Sequence, residues 1–227
     1  MRTVKLQDSN EGIPVAKVFG IGRNYVAHAA EMNAEISETP VVFLKPPTAL
    51  IEDGGTVSIP AFAKELHHEV EMVVVIGKNG KNISREKAYD HVAGYAVGLD
   101  MTLRDVQAEA KKKGLPWTVA KGFDTSAPIS PVVDRNKVAN PHDLEISLRV
   151  NGKLRQQSNT KLMIFRVDKL IEYLSGIFTL ERGDLIFTGT PDGVGAVVPG
   201  DMIEAELESV GRLRVNVAAG ITGESVR

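Results

Sequence analysis

The sequence predicts a strand-rich α+β fold, in which a mixed and curved sheet system carries a few helices. Short apolar segments outnumber helical patterns, and the two do not alternate regularly along the chain. The missing alternation argues against a Rossmann fold or a TIM barrel. No internal repeat, low-complexity stretch or linker divides the 227 residues. We therefore expect one domain over residues 1–220, starting with a short segment (1–15), and a frayed tail over 221–227.

The predicted strands are apolar or β-branched runs separated by turn-forming residues. In chain order they cover residues 15–20, 41–44, 56–59, 70–76, 92–99, 144–150, 153–157, 184–188, 202–207 and 213–217. Asn151-Gly152 separates two of these strands, and this dipeptide is a strong signal for a tight hairpin.

Four helices are predicted between the strands. Asn24 is a good cap for a helix over residues 25–33, and residues 84–90 form a short helix. Thr102 is expected to cap a helix that runs to about Lys113 and stops at Gly114. Apolar residues at helical spacing predict an amphipathic helix over residues 167–177.

The composition excludes several classes of protein. With 27 basic and 29 acidic residues, the net charge of −2 argues against general nucleic-acid binding. The chain has no cysteine, which excludes disulfides, thiolate metal sites and a cysteine nucleophile. We find no signal peptide and no apolar run of membrane-spanning length, so we expect a cytoplasmic protein with no membrane partner.

Three carboxylates stand at the edges of segments that otherwise resemble buried strands. Glu69 and Glu71 point to the same face of their strand, and Asp100 ends the strand over residues 92–99. Buried like charges repel each other unless a cation lies between them. An oxygen-only ligand set suits Mg²⁺ or Mn²⁺. The alternative is a hydrated edge strand, but the apolar continuation after Glu71 favours a metal site.

The adjacent His67 and His68 raise the question of zinc. No HExxH helix and no cysteine accompanies them. We expect instead that one of the two imidazoles hydrogen-bonds a ligand carboxylate.

Four further features are candidates for binding or catalysis, each with an ordinary structural alternative. Arg104, Gln107 and Lys111 share a helix face that starts beside Asp100, although such a face is often simply solvated. Lys121 ends an apolar run and could stabilise an enolate, or lie with its ammonium at the surface.

The other two features are a loop and a histidine pair. The glycine-rich loop around Thr190 could bind a carboxylate or be a plain turn, and it lacks the ending of a nucleotide-binding P-loop. His28 and Glu31 share a helix face, so the carboxylate could orient the imidazole as a general base, or the two could form a surface pair.

Several long motifs, taken in order, resemble the fumarylacetoacetate hydrolase family, and within it the short acylpyruvases and oxaloacetate decarboxylases. The resemblance runs from Gly20 to Asp201. It is carried by Gly20-Ile21-Gly22-Arg23-Asn24-Tyr25, Phe43-Leu44-Lys45-Pro46, His67-His68-Glu69-Val70-Glu71, Leu99-Asp100-Met101-Thr102-Leu103-Arg104-Asp105-Val106-Gln107, Lys112-Lys113-Gly114-Leu115-Pro116-Trp117-Thr118 and Thr188-Gly189-Thr190-Pro191-Asp192-Gly193-Val194-Gly195.

The resemblance implies a mixed β-sandwich roll with peripheral helices, forming a single catalytic domain that is usually dimeric. It implies Mg²⁺ or Mn²⁺ on Glu69, Glu71 and Asp100. It implies substrate contacts from Arg104, Gln107, Lys121 and Thr190, with Lys121 also acting in catalysis. It implies that His28 and Glu31 form a catalytic pair on a lid helix.

The implied substrates are 2-oxo or 1,3-diketo acids, which would react through a metal-stabilised enolate. Acylpyruvate hydrolysis, oxaloacetate decarboxylation and keto–enol tautomerisation all share that enolate. The histidine–glutamate pair favours hydrolysis, because decarboxylation needs no water nucleophile. Two alternatives stay open: an isomerase or decarboxylase of the 2-hydroxyhepta-2,4-diene-1,7-dioate type from aromatic catabolism, and a non-catalytic, metal-dependent 2-oxo acid binding protein.

Overall fold

The computed structural model describes residues 2–7, 12–31 and 37–220, and within them it shows the strand-rich α+β fold that the sequence predicts. The strands are β1 (Thr3–Lys5), β2 (Gly12–Pro14), β3 (Val18–Gly22), β4 (Val41–Lys45), β5 (Leu50–Glu52), β6 (Thr56–Ile59), β7 (Leu66–His68), β8 (Val70–Ile76), β9 (Val92–Leu99), β10 (Thr102–Leu103), β11 (Ala127–Ile129), β12 (Val133–Asp134), β13 (Glu145–Val150), β14 (Lys153–Asn159), β15 (Leu185–Phe187), β16 (Gly195–Val197), β17 (Met202–Leu207) and β18 (Gly211–Ala219). The α-helices are α1 (Val26–Glu31), α2 (Arg104–Lys113), α3 (Thr118–Lys121) and α4 (Val167–Ile177), and the short helix predicted over residues 84–90 is a 3-10 helix over Arg85–His91.

Two large sheets form the body of the molecule. An eight-stranded sheet has the order β4-β3-β15-β8-β9-β11-β5, with β12 also paired to β9. A five-stranded sheet has the order β14-β13-β17-β18-β6, and its β13–β14 hairpin turns at Asn151-Gly152, as predicted. Smaller sheets join β1 to β2 and β10-β7-β16.

The main core lies between the two large sheets. It contains Met72 and Val74 from β8, Ile146 from β13 and Val215 from β18, together with the apolar face of α4. The alternate side chains of β8 belong to a second core on the other face, so β8 is apolar on both sides. The continuous apolar run of β8 follows from this double burial.

The structure corrects two predicted helix caps. Asn24 does not cap α1, because its side chain bonds Phe165 and the Thr188 carbonyl. Thr102 lies in β10 and its hydroxyl donates to the Asp100 carbonyl, while α2 begins at Arg104. The predicted end of the first helix at Asn33 and the tail over 221–227 lie outside the described residues. No helix of the described ranges is long and apolar enough to cross a membrane.

One buried histidine away from the carboxylates makes stability depend on pH. The Tyr89 hydroxyl donates to His142 Nε2 over 2.8 Å, and the His142 side chain is buried. Burial, followed by the nearby Arg166 guanidinium, lowers the pKa of His142 from 6.5 to about 4. As pH falls from 6.5 towards 4, the unfolded chain therefore takes up this proton before the folded chain does.

We expect His142 to contribute a loss of about 2 kcal/mol in the free energy of unfolding as pH falls from 7 to 4.5, allowing for partial screening of the site by solvent. Urea unfolding at pH 7 and pH 4.5 measures the loss, and His142→Gln should reduce it. The half-buried His91 is the control, and His91→Gln should keep the wild-type pH dependence. Equal pH dependence in wild type and His142→Gln would show that other groups cause the loss.

Candidate active site

Three carboxylates meet where β8 begins and β9 ends. The two strands are antiparallel with Val70 opposite Leu99, so Glu69, Glu71 and Asp100 become neighbours. The Asp100 amide also donates to the Glu69 carbonyl over 2.8 Å. One oxygen from each carboxylate lies within 4.8 Å of the others, and all three residues are buried. The predicted metal ligands are therefore brought together by strand register.

Burial and charge act differently on these carboxylates. Burial, with the Asp100 and Glu69 carboxylates beside it, raises the pKa of Glu71 well above its ordinary value. Burial also acts to raise the pKa of Glu69, but the Lys121 and Arg104 cations outweigh it and hold that pKa well below the usual range. The Gly189 amide donates to Glu71 Oε2 over 2.7 Å. The protein's own cations thus outweigh burial at Glu69, whereas at Glu71 the opposing effect of Lys121 is too small to do so.

Buried lysines surround the carboxylates. Lys121 Nζ lies 2.7 Å from Glu69 Oε2 and 2.5 Å from Asp100 Oδ2. Lys45 Nζ lies 2.7 Å from Asp100 Oδ1 and also donates to the carbonyls of Lys121 and Ser126. Burial acts to lower the pKa of Lys121, but Asp100 and Glu69 reverse this and raise it. The surface alternative for Lys121 is wrong, because its side chain is buried.

Lys45 is a site residue that the sequence analysis did not single out. It belongs to the motif Phe43-Leu44-Lys45-Pro46, which carries part of the family resemblance, but a lysine at the end of an apolar strand gives no signal of its role. In the structure it fixes Asp100 and the carbonyl end of the short helix that carries Lys121.

The donor set fits a hard divalent cation. It offers three buried carboxylates, and Asp100 Oδ1 is a buried atom that accepts no well-directed hydrogen bond, although Lys45 lies beside it. Oxygen-only ligands suit Mg²⁺ or Mn²⁺ better than zinc. A divalent cation would also supply positive charge to balance the Glu71 carboxylate.

His28 lines the same pocket, and Glu31 contacts its ring. The His28 ring is buried, and its Nδ1 donates to Glu31 Oε2 over 3.3 Å. The Gly193 amide donates to Glu31 Oε1 over 3.1 Å, which ties α1 to the glycine-rich loop. The ring is therefore held through Nδ1, and Nε2 is left for a ligand.

The remaining predicted residues line this pocket too. Arg104, Gln107, Lys121 and Thr190 border it together with Glu69 and Glu71. Arg104 is already engaged, because its guanidinium donates to Glu69 Oε1 over 2.5 Å and to Gln107 Oε1 over 2.7 Å. A guanidinium has five N–H donors, so Arg104 keeps donors for a substrate carboxylate while it makes these bonds.

Gln156 is a second residue that the sequence did not reveal. Its amide donates to Thr190 Oγ1 and the Pro191 carbonyl, both over 2.9 Å. Its carbonyl accepts from the Val70 amide over 3.1 Å. Gln156 therefore joins the strand that carries Glu71 to the loop that carries Thr190. A buried glutamine in a polar strand segment gives no sequence signal for this role.

The expectation for the two adjacent histidines is wrong. His67 Nε2 contacts Glu65, and His67 Nδ1 accepts from Arg104 Nε over 3.4 Å. His68 Nδ1 donates to Gln156 over 3.0 Å. Neither imidazole bonds a ligand carboxylate, because both belong to β7, which pairs with β10 and β16 rather than with β8.

A larger groove adjoins the pocket but does not hold the chemistry. It has a volume of about 970 Å³ and is mostly apolar, with Leu44, Leu115 and Ile177 exposed in it. The carboxylate pocket has a free volume of about 30 Å³, enough for a water-sized group. The polar and charged residues identify the smaller pocket as the candidate active site. For a substrate to enter this pocket, the side chains that line it must move.

Comparisons with known proteins agree with this fold. Residues 17–218 match the family described as fumarylacetoacetate (FAA) hydrolase C-terminal. The chain is 51% identical over 197 residues to the mitochondrial oxaloacetate tautomerase FAHD1 of Rattus norvegicus, covering 87% of this chain and 89% of that one.

Solved structures of the same fold also match the chain. Fumarylpyruvate hydrolase from Pseudomonas aeruginosa, in complex with Mn²⁺ and pyruvate, matches with a TM-score of 0.92 and 41% identity, covering 96% of each chain. The 2-hydroxyhepta-2,4-diene-1,7-dioate isomerase from Mycobacterium marinum matches with a TM-score of 0.82 and 37% identity, covering 93% of this chain and 77% of that one.

The fold and the site define an enzyme of the strand-rich α+β class with a buried carboxylate centre suited to a divalent cation. The chain belongs to the fumarylacetoacetate hydrolase family.

The buried Lys45–Asp100 pair leads to a prediction about stability. Lys45→Met removes one partner of a buried ion pair, so the metal-free protein should lose about 3–5 kcal/mol in the free energy of unfolding. Mn²⁺ should restore part of this loss, because it compensates Asp100. Urea unfolding with and without Mn²⁺ measures both effects, and Lys64→Met at the surface is the control. A loss below about 1 kcal/mol would contradict a structural role for the pair.

Proposed function

We propose that this chain is a divalent-metal-dependent enzyme that acts on 2-oxo acids, with keto–enol tautomerisation of oxaloacetate as its first candidate reaction. The observation that carries the proposal is that His28, held by Glu31, lines the same pocket as Glu69 and Glu71 of the buried carboxylate centre. The similarity to a relative named oxaloacetate tautomerase supports this substrate.

Glu69, Glu71 and Asp100 would hold Mg²⁺ or Mn²⁺. Bound there, the cation would supply Lewis-acid chemistry to the carboxylate and 2-oxo oxygens of a substrate. The buried Lys121 ammonium would stabilise negative charge on the 2-oxo oxygen, and Lys45 would keep Asp100 in place.

In this proposal His28 transfers the proton. Glu31 holds the imidazole through Nδ1, so Nε2 can take a proton from carbon 3 of oxaloacetate, and the 2-oxo oxygen gains a proton to give the enol. Arg104, Gln107 and Thr190 would contact substrate oxygens, with Gln156 holding the Thr190 hydroxyl in position.

Acylpyruvate hydrolysis is the second candidate, and the same pair supports it. Here His28 Nε2 would take a proton from water, and the resulting hydroxide would add to the acyl carbonyl. The carbon–carbon bond then breaks, and pyruvate leaves after gaining a proton. The likeness to a fumarylpyruvate hydrolase solved with pyruvate supports this reaction. Isomerisation of longer dienoic diacids is a third candidate, supported by the likeness to the mycobacterial isomerase.

One substrate panel tests these proposals. Oxaloacetate tautomerisation, oxaloacetate decarboxylation, acetylpyruvate hydrolysis and isomerisation of a dienoic diacid are measured with Mg²⁺, with Mn²⁺ and after chelation. We expect metal-dependent turnover of oxaloacetate or acetylpyruvate. Tight metal-dependent binding of pyruvate without turnover of any substrate would instead identify a binding protein.

Two further proposals concern the oligomeric state of the enzyme and its location in the cell. We propose a homodimer, on the basis of the family resemblance, and light scattering after gel filtration should give twice the chain mass. We also propose a cytoplasmic location, although the rat relative is named mitochondrial. Fractionation of cells from the source organism tests it.

A further inference from the structure

Two cations of the active-site pocket have no role in the proposed chemistry. Arg23 and Lys111 line the pocket together with the carboxylates and Lys121. Arg23 follows β3, and Lys111 lies on the same face of α2 as Arg104 and Gln107. Their presence in a pocket that already contains Arg104 and Lys121 requires an explanation.

An aromatic pair in the pocket is in contact with a lysine at each of its two rings. Lys121 Nζ lies 5.1 Å from the centroid of the Phe43 ring, and Lys111 Nζ lies 5.3 Å from the centroid of the Trp117 ring. The two ring centroids are 6.1 Å apart. The pocket therefore has one cation beside the carboxylates and the Phe43 ring, and another beside the Trp117 ring. This arrangement suits an elongated ligand with an anionic group at each end.

The backbone at Arg23 is fixed in an unusual conformation. Its φ of +59° lies in the left-handed region, which a residue other than glycine rarely adopts. The next residue holds it there: Asn24 Nδ2 donates to the Thr188 carbonyl over 2.7 Å, and the Phe165 amide donates to Asn24 Oδ1 over 2.7 Å. Such strain persists where surrounding structure enforces it, often at ligand sites. Arg23 is thus anchored to the strand that leads to Thr190.

The charges of Arg23 and Lys111 are not balanced by protein carboxylates. Over residues 2–7, 12–31 and 37–220, the ion pairs of the pocket join Lys45, Arg104 and Lys121 to the carboxylate centre and include neither Arg23 nor Lys111. Burial, followed by the Arg104 and Arg23 guanidiniums, lowers the pKa of Lys111. Cations that repel one another in this way are stabilised by a bound anion.

We infer that Arg23 and Lys111 form a subsite for a second carboxylate, so that the enzyme prefers 2-oxo acids with two carboxylates to those with a neutral acyl end. The inference rests on the proposed function, because the 2-oxo end of the substrate must lie at the carboxylate centre. Arg23 would bind the second carboxylate through two parallel hydrogen bonds. Lys111 would add charge at the side of the Trp117 ring.

The test compares substrates that differ in the second carboxylate. Fumarylpyruvate and oxaloacetate have it, whereas acetylpyruvate does not. With Mn²⁺, Arg23→Gln and Lys111→Gln should each lower kcat/KM for fumarylpyruvate or oxaloacetate by about 10- to 100-fold, as expected for a lost charged hydrogen bond. Acetylpyruvate turnover should change less than about threefold. Arg23→Lys should lower kcat/KM less than Arg23→Gln does, since lysine keeps the positive charge but cannot form two parallel hydrogen bonds with a carboxylate.

Two binding measurements complete the design. Pyruvate, which has one carboxylate, should inhibit all variants with the same inhibition constant, and calorimetry should give an unchanged Mn²⁺ affinity. Lys112→Gln is the matched control, because Lys112 is the next residue on α2, is exposed and does not line the pocket.

The possible outcomes separate this inference from the proposed function. Equal losses for acetylpyruvate and fumarylpyruvate, or no loss for either dicarboxylate, would overturn the subsite while leaving the function intact. A wild-type enzyme that turns over none of these acids with Mn²⁺ or Mg²⁺ would overturn the proposed function and the subsite with it. A selective loss with either dicarboxylate supports the subsite and indicates which chain length reaches it.

Discussion

Glu71→Gln will lower kcat/KM for oxaloacetate by at least about 10³-fold and remove the requirement for a divalent cation from whatever activity remains. Glutamine has the same shape but no charge, so the site loses one of three anionic ligands. It can still accept the 2.7 Å hydrogen bond from the Gly189 amide. Glu71 also has a raised pKa in the metal-free site, so the neutral amide resembles its protonated form. We therefore expect a folded variant that binds Mn²⁺ weakly.

Three measurements on the same preparations test this prediction: steady-state kinetics, Mn²⁺ calorimetry and thermal unfolding with and without Mn²⁺. The rise in Tm that Mn²⁺ gives the wild type should be absent from Glu71→Gln, because a ligand stabilises only a state that binds it. Glu65→Gln is the control, since Glu65 lies in the same segment but outside the carboxylate centre. Full turnover by the wild type after exhaustive chelation would refute a metal role for the centre.

His28→Ala will lower acetylpyruvate hydrolysis by about 10²–10⁴-fold, the range for a positioned acid–base group. Decarboxylation of oxaloacetate should fall less, because loss of CO₂ requires no water to be deprotonated. Glu31→Gln should act in the same direction as His28→Ala, since it weakens the 3.3 Å contact that orients the imidazole. Mn²⁺ affinity should stay the same, because neither residue belongs to the carboxylate centre.

The comparison requires hydrolysis, decarboxylation and Mn²⁺ binding to be measured on one preparation of each variant. His91→Ala serves as the control, because His91 lies outside the pocket. If hydrolysis and decarboxylation fall equally, the pair acts in general proton transfer or in closing α1 over the ligand. Water activation by His28 would then be withdrawn.

Local pattern predicted most of the long elements of the fold. β6, β8, β9, β17 and α4 agree with prediction at both ends, because their apolar spacing or unbroken apolar runs are unambiguous. The prediction missed the strands of two or three residues, which contain too little pattern to stand out, except for β15: β1, β2, β5, β7, β10, β11, β12 and β16. Their existence depends on a partner strand that supplies the hydrogen bonds.

The candidate site was predicted unevenly for a related reason. Glu69, Glu71 and Asp100 were found because a carboxylate at the edge of an apolar strand conflicts with burial and demands a partner. Lys45 and Gln156 were not found, since each acts through a contact with a residue distant in sequence. The expected bond from His67 or His68 to a ligand carboxylate was wrong because strand pairing, not sequence proximity, decides where β7 points.

The sequence by itself determined which chemical groups are available: three carboxylates without cysteine, an imidazole beside a glutamate on one helix face, and the motifs of the family. Only the tertiary structure decided how they meet. The register of β8 against β9 sets the carboxylates within 4.8 Å of one another, and Lys45, Lys121 and Arg104 arrive from three other segments to balance their charge. The physical reason is that a pattern along the chain reports burial and periodicity, whereas electrostatic balance depends on distances across the fold.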